Sequence, residues 1–198
     1  MDYGVYHSVN HFMAHHRWLA HVVNDVQSVL VILIAAAAFA LWLVGRPGGS
    51  HRWKLASASA LAAAALALEA NQLIAKVWHR PRPYEAHPHP APYHLSNSHD
   101  ASFPSDHASA AFAIAFAVFL FDRVVGTFFL AVAVLIGLSR VLIGAHYPGD
   151  VLAGGAVGFL AALVVVYLGR RVLAWAVRLV ERVTDPIVAP AWRVLGRR

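Results

Sequence analysis

Five long apolar runs constrain what this chain can fold into more than any other feature of its sequence. Residues 22–44 carry polar side chains (Asn24, Asp25, Gln27, Ser28) only in their first two turns, and residues 55–75, 107–121, 124–143 and 148–168 complete the set. A helix needs about 20 apolar residues to cross the hydrocarbon core, within a range of roughly 17–25. Four runs meet that length. Residues 107–121 fall short, at roughly 22 Å for 1.5 Å per residue against a core of about 30 Å. Composition points the same way. Of 198 residues, 59% are hydrophobic and 13% charged, whereas soluble domains average roughly 45–50% and about 25%. The surplus has to face lipid. The expected fold is all-α: a multi-pass membrane helical bundle of about five transmembrane helices, with interfacial helices at the N- and C-termini.

The first run imitates a signal peptide, because residues 22–34 are followed by the small residues 35–38. The apolar stretch nevertheless continues through Phe39, Leu41, Trp42 and Val44, and no Lys/Arg-rich segment precedes it. It reads as an uncleaved helix. The absence of cysteine excludes a disulfide framework and thiolate chemistry.

Between the second and third runs lies the longest connection, residues 76–106, with six prolines and with His79, His87, His89, His94 and His99. Proline at this density does not continue a helix, and loops of this length are usually functional or disordered. The other connections are tight. After Leu168, residues Arg171, Trp175, Arg178 and Arg182 follow helical spacing, with Leu173, Val177 and Val180 on the opposite side. That pattern predicts an amphipathic helix lying on the membrane and ended by Asp185-Pro186. Two parts result: a membrane-embedded domain over 1–168, with its functional loop at 76–106, and a basic amphipathic tail over 169–198.

Net charge is +6. Sorted by loop, Arg46, Arg52, Lys54, Arg123, Arg170, Arg171, Arg178, Arg182, Arg193, Arg197 and Arg198 fall on one side, whereas Arg17, Lys76, Arg80, Arg82 and Arg140 fall on the other. The richer side is expected in the cytoplasm. The long loop and residues 140–150 then face the periplasm or the cell exterior, with the C-terminus cytoplasmic. Once the helices are buried in lipid, no basic face remains for nucleic acid.

Three polar clusters converge on that outer side: Arg80-Pro81-Arg82-Pro83 after the second run; Ser102-Phe103-Pro104-Ser105-Asp106-His107 opening the third; and Ser139-Arg140, five residues, then His146-Tyr147-Pro148-Gly149-Asp150 between the fourth and fifth. Guanidinium groups of Arg82 and Arg140 match phosphate oxygens and keep their charge. Two helices begin here, presenting free amides and a positive dipole end to an anion, and Pro148 suits a first helical position. Ser105 adds a hydroxyl. Two histidines and a carboxylate supply the parts of phosphoryl transfer: one imidazole attacks phosphorus, an aspartate orients its ring, and the other imidazole protonates the leaving oxygen. Asp150 is four residues from His146 and within reach of its ring. No metal or other cofactor is demanded, since arginines and amides supply the positive charge.

Arg82-Pro83, Pro104-Ser105-x-His107 and Ser139-Arg140-x5-His146-x3-Asp150 resemble the three-part signature of the type-2 phosphatidic acid phosphatase superfamily, membrane lipid phosphatases that share a helical core with vanadium haloperoxidases. Asn71-Gln72-Leu73-Ile74, the Ser-Phe-Pro-Ser-Asp-His form and the His-Tyr-Pro-Gly-Asp ending are similar to its bacitracin-resistance type of undecaprenyl-diphosphate phosphatase. The resemblance covers most of the chain up to Leu168. It implies that His146 is the nucleophile, forming a phosphohistidine, with Asp150 as its partner and His107 as general acid. Arg82, Arg140 and Ser105 would bind phosphate. Two positions depart from the broad pattern. Ala75 stands where that family has lysine; Lys76 is rotated from it by about 100° on a helix, and Arg80 is a second source of the missing charge. Asp106 stands where the broad family favours glycine, and a carboxylate there has to be paired or turned away from phosphate.

The implied substrate is a polyprenyl diphosphate held among membrane lipids, hydrolysed at its terminal phosphate so that the lipid carrier is recycled for cell-wall synthesis. Phosphatidic acid, phosphatidylglycerol phosphate or another lipid phosphate are same-class alternatives, and a phosphate transporter is a different-class one. Outside the clusters the expectations are structural. The loop histidines act as interfacial anchors, and His7, His11 and His15 share a helix face through amphipathic packing rather than metal binding. Glu69 sits in a satisfied hydrogen bond, and the basic face of the tail rests on anionic lipid.

Overall fold

The computed structural model describes residues 2–87 and 92–195, with the side chain of Leu195 left aside. His89, Arg197 and Arg198 lie outside the described residues. Among those described, the chain is helical, with α1 (Asp2–His15), α2 (Arg17–Val44), α3 (Arg52–Val77), α4 (Pro83–Ala86), α5 (Asp106–Phe121), α6 (Arg123–Leu142), α7 (Pro148–Leu163) and α8 (Arg170–Leu195). A π-helical turn, Val164–Leu168, extends α7. Four helices are long and apolar enough to cross a membrane: α2, α3, α6 and α7 with its extension. The shorter α5 lies among them.

The position of α5 explains its length. It packs against α3, α6 and α7, with Ala108, Ala111, Ala113, Ile114, Ala115, Ala117 and Val118 all buried. A helix apolar around its whole circumference belongs in a core, and one enclosed by other helices need not match the bilayer thickness. Small residues let the neighbours close in. Ala56, Ala60, Ala63 and Ala67 form the inward stripe of α3. On α7, a Cβ at Gly158 would stand 2.5 Å from the Ser109 carbonyl oxygen and 2.7 Å from the Ala113 nitrogen, so α5 and α7 meet backbone to backbone there. Outward faces of α2 and α6 carry exposed Val29, Ile32, Leu33, Phe128, Leu135 and Leu138, as a lipid-facing surface requires.

Alternating helix directions put the three polar clusters at one end of the bundle and the Gly45–His51 turn, Asp122 and α8 at the other. At that other end, Asp122 caps α6 by accepting from the Val125 N–H and pairs with Arg52, while α8 returns across α3 and is tied to α2 by hydrogen bonds at Trp42 and Leu43. Buried Lys54 pairs with Asp185 and Glu181 of α8; Glu181 also meets His51, and Trp42 donates its indole N–H to Thr184.

Three expectations need correction. The C-terminal helix does not stop at Asp185-Pro186 but runs through Pro186 and Pro190 to Leu195. Interior proline costs about 3 kcal/mol, and the ties from Thr184 and Asp185 to the bundle hold this turn in place. The long connection is not wholly irregular, because Pro83 starts the single turn α4 from a first helical position, where its missing N–H costs nothing. Glu69 is exposed on α3 and makes no side-chain hydrogen bond among the described residues.

Candidate active site

The site begins with the turn between α6 and α7. Both Ala145 and His146 donate their backbone N–H to the Arg140 carbonyl, at 3.0 and 3.2 Å. Gly144, at φ 76°, reverses the chain where a Cβ would collide with the Tyr93 carbonyl oxygen. Pro148 opens α7, and Asp150, its third residue, accepts from the Tyr147 N–H at 3.0 Å. Local helix-start chemistry therefore fixes Asp150 and sets His146 just before the capping residue Tyr147.

His146 is 3% exposed and Asp150 wholly buried. Nδ1 of His146 lies 2.8 Å from the Ser102 carbonyl oxygen. A carbonyl only accepts, so the ring proton sits on Nδ1 and the lone pair on Nε2. That lone pair faces Nη1 of Arg82 at 3.4 Å. Asp150 Oδ2 stands 3.8 Å from Nδ1, outside hydrogen-bond reach, and acts on the ring as a nearby charge. Its own donors are Ser102 Oγ at 2.5 Å, Arg80 Nη1 at 2.6 Å and the Tyr147 amide. Burial holds the His146 pKa below the ordinary histidine value; Arg140 and Arg82 push the same way, and Asp150 opposes them.

Arg82 is aimed by the long connection. Its Nε donates to the Asp100 carbonyl, and its Nη atoms to Ala145 O and Ser98 Oγ, between 3.0 and 3.3 Å. Tyr84 and Glu85 of α4 steady this shell, by bonds from the Tyr84 hydroxyl to Ser98 O and from the Arg82 N–H to Glu85. Arg140 differs. It is buried, and its Nε has no partner among the described residues. Ser105 Oγ, wholly buried at the start of α5, is likewise unpaired. His107, two residues on, is close enough to feel the charges of Arg140, His146 and Arg82. Unmatched buried donors are uncommon in folded proteins and ask for a reason. Here they converge with two guanidinium groups and the free first amides of α5, an arrangement that can hold an oxyanion against a nucleophilic nitrogen.

The structure thus brings together His146, Asp150, His107, Arg82, Arg140 and Ser105. It does not bring Lys76 to them. Lys76 is exposed on α3 and lines a polar cavity of about 280 Å³ with His79, His99, Asp100 and Asp106, whose walls include none of Arg82, His107, Arg140 and His146. Arg80 does not offer its charge to the cluster either, because its guanidinium is taken up by Asp150 and by Asp2 of α1. Asp106 turns away, accepting from Asn71 Nδ2 at 2.7 Å. Neither Ser102 nor Asp2 is singled out by sequence reasoning. Ser102 lies within the motif that opens the third apolar run, and its place five residues before His107 was the available signal; Asp2 carried none. His7, His11 and His15 are exposed on α1, and no group of three or more metal-ligating side chains occurs among the described residues.

A bundle with spans of this kind and a buried polar site at one end is that of a membrane lipid phosphatase. The chain belongs to the PAP2 superfamily, whose family model matches residues 53–173. Undecaprenyl-diphosphatase BcrC of Bacillus subtilis is 31% identical over 158 residues, covering 77% of this chain and 76% of that protein. Decaprenylphosphoryl-5-phosphoribose phosphatase of Mycobacterium tuberculosis is 32% identical over 155 residues, covering 77% and 78%. The crystal structure of Aquifex aeolicus LpxE shares the fold with a TM-score of 0.67 at 21% identity, covering 82% of this chain and 93% of that one.

Proposed function

We propose that the protein hydrolyses the terminal phosphate of a polyprenyl diphosphate, undecaprenyl diphosphate in the first instance, releasing the monophosphate carrier and inorganic phosphate. The observation that carries this reading is the set of buried, unpaired donors, Arg140 Nε and Ser105 Oγ, beside a histidine whose Nε2 lone pair faces Arg82. In the first step Nε2 attacks the terminal phosphorus and the bond to the bridging oxygen breaks; His107 gives that oxygen its proton. The product is a phosphohistidine, whose ring keeps its Nδ1 proton against the Ser102 carbonyl and its positive charge near Asp150. In the second step His107, now neutral, takes a proton from water as that water attacks phosphorus, returning His146 to its first state. Arg82, Arg140, Ser105 and the first amides of α5 hold the phosphoryl oxygens throughout.

An apolar groove of about 440 Å³ supports a long hydrocarbon chain in the substrate. It lies between α6 and α7 with Phe112 and Phe116 as its floor, and it reaches Gly137, one turn below Arg140, and Val151, next to Asp150. Similarity to a polyprenyl phosphoribose phosphatase favours a second reading, a polyprenyl-linked phosphate monoester, on the same site. The distribution of arginine and lysine supports a site that faces the periplasm or exterior, with the domain over 1–168 in the membrane and the tail over 169–198 on the cytoplasmic leaflet. The test is phosphate release by purified protein in detergent from a C55 diphosphate, a decaprenyl phosphoribose phosphate, phosphatidic acid and phosphatidylglycerol phosphate. Wild type releases phosphate fastest from the C55 diphosphate, and His146→Ala releases none; equal release by both proteins refutes the mechanism. A reporter fused at the C-terminus reads as cytoplasmic if the orientation is right.

A further inference from the structure

Arg80 is held on two sides. Nη1 meets Asp150 Oδ1 at 2.6 Å and Nη2 meets Asp2 Oδ2 at 2.7 Å, while its guanidinium carbon lies 3.9 Å from the centre of the Tyr147 ring. Asp2 grips a second element as well: its Oδ1 accepts at 2.9 Å from the N–H of Gly149, the residue that precedes Asp150 in the first turn of α7. Helix α1 is seated by further contacts on that face. Asn10 exchanges hydrogen bonds with the Tyr93 backbone, and Tyr6 donates to the Gly144 carbonyl and packs on Tyr147. One carboxylate thus holds both the arginine that pairs with Asp150 and the turn that carries Asp150.

We infer that Asp2 is a positioning residue for the reaction, acting through Arg80 and the α7 start on Asp150 and so on the charge of the His146 ring. This rests on the reading of His146 as nucleophile with Asp150 as its partner. Arg80 and Asp150 alone form a neutral pair, whereas Asp2, Arg80 and Asp150 together carry one negative charge. Net negative charge beside His146 favours the positive ring formed when Nε2 bonds phosphorus. Asp2 also prevents the partly exposed Arg80 from swinging outward or toward the phosphoryl group, either of which would leave Asp150 with two donors. The charged and titratable groups around His146 are Asp150, Arg82, Arg140 and His107; those around the Asp2–Arg80 pair are Asp150, Tyr3 and Tyr147.

The experiment compares wild type, Asp2→Asn, Asp2→Glu and Asn10→Ala in phosphate release from a C55 diphosphate across pH, with thermal unfolding alongside. Asp2→Asn is expected to lose about tenfold in kcat with KM within about twofold, and to move the acid limb of the rate profile to lower pH. Asp2→Glu is expected to recover the limb and part of kcat. Asn10→Ala, which loosens α1 without touching the pair, is expected to leave the limb in place. An unchanged kcat and limb in Asp2→Asn overturns the inference, as does an equal shift of the limb in Asn10→Ala. Should Asp2→Asn fail to fold, Asp2→Ser takes its place with the same outcomes: an acid limb displaced to lower pH supports the inference, and one at the wild-type position overturns it. Activity retained by His146→Ala or Asp150→Asn refutes the underlying reading instead, so the two failures are distinguishable.

Discussion

Replacing Ser102 by alanine tests how far the chemistry depends on the orientation of Asp150. Three donors reach that carboxylate: Arg80 Nη1 on Oδ1, and Ser102 Oγ with the Tyr147 amide on Oδ2. Asp150 is wholly buried, so solvent does not replace the hydroxyl once it is gone. A hydrogen bond to a charged group contributes about 1.5–3 kcal/mol, which corresponds to roughly a 10- to 150-fold change in rate where the bond is needed in the transition state. The backbone carbonyl of Ser102 remains in Ser102→Ala, so Nδ1 keeps its proton and Nε2 its lone pair. No phosphate-binding donor is altered. The expectation is therefore a fall in kcat of that size with KM within about twofold, measured as phosphate release from a C55 diphosphate in detergent. Ser105→Ala provides the contrast, because Ser105 Oγ is unpaired and its loss should raise KM. A Ser102→Ala enzyme with wild-type kcat, or with its loss confined to KM, refutes the reasoning.

Because burial, Arg140 and Arg82 hold the His146 pKa below the ordinary value of about 6.5, the neutral nucleophile persists into mildly acid solution. Activity should fall only as pH drops through that lowered value, and Arg82→Gln should move the limb upward in a pH–rate profile. The sign for stability is the same: a depressed histidine contributes fully above about 6.5 and destabilises as pH falls, since the unfolded chain binds the proton first. A leucine at Gly155 should fill the apolar groove, because a Cβ there meets Phe112 at an ordinary 3.5 Å. Gly155→Leu is expected to raise KM for a C55 diphosphate by about tenfold while sparing a short soluble isoprenyl diphosphate, as a two-substrate comparison would show. Lys54→Ala strands Asp185 and Glu181 beside a site where the lysine side chain is 3% exposed. Breaking such a pair costs about 3–5 kcal/mol when fully buried, and the part exposure of Asp185 places this one at the lower end. A lowered unfolding midpoint and faster tryptic cleavage within α8 are the readouts.

Much of the site was legible because its residues lie at helix ends, where sequence spacing and position along the membrane normal are nearly the same quantity. Arg140, His146 and Asp150 are linked by one turn and one helix start, so their mutual geometry is local. Arg80 and Lys76 were not legible as to role. Whether a cation faces phosphate or a carboxylate depends on which side chain from elsewhere reaches it, and Asp2 reaches Arg80 from 78 residues away. The course of α8 through two prolines was hidden for a similar reason, because its ties to Trp42 and Lys54 are tertiary.

Spacing along the chain gives a membrane bundle with its phosphate-type motifs gathered at one end, since hydrophobic length and alternating helix direction leave little choice once lipid is the solvent. The same spacing sets Asp150 one helix start beyond His146, close enough to act on its ring as a charge but not to hydrogen-bond it, since Nδ1 turns to the Ser102 carbonyl. Tertiary structure alone decided the proton position on His146, because the acceptor is a backbone carbonyl in another segment. It alone decided that Arg140 and Ser105 keep unspent donors, that Asp106 turns to Asn71, and that Arg80 stands between two carboxylates. Hydrogen bonds and ion pairs act over about 3 Å, and only packing brings distant segments that close.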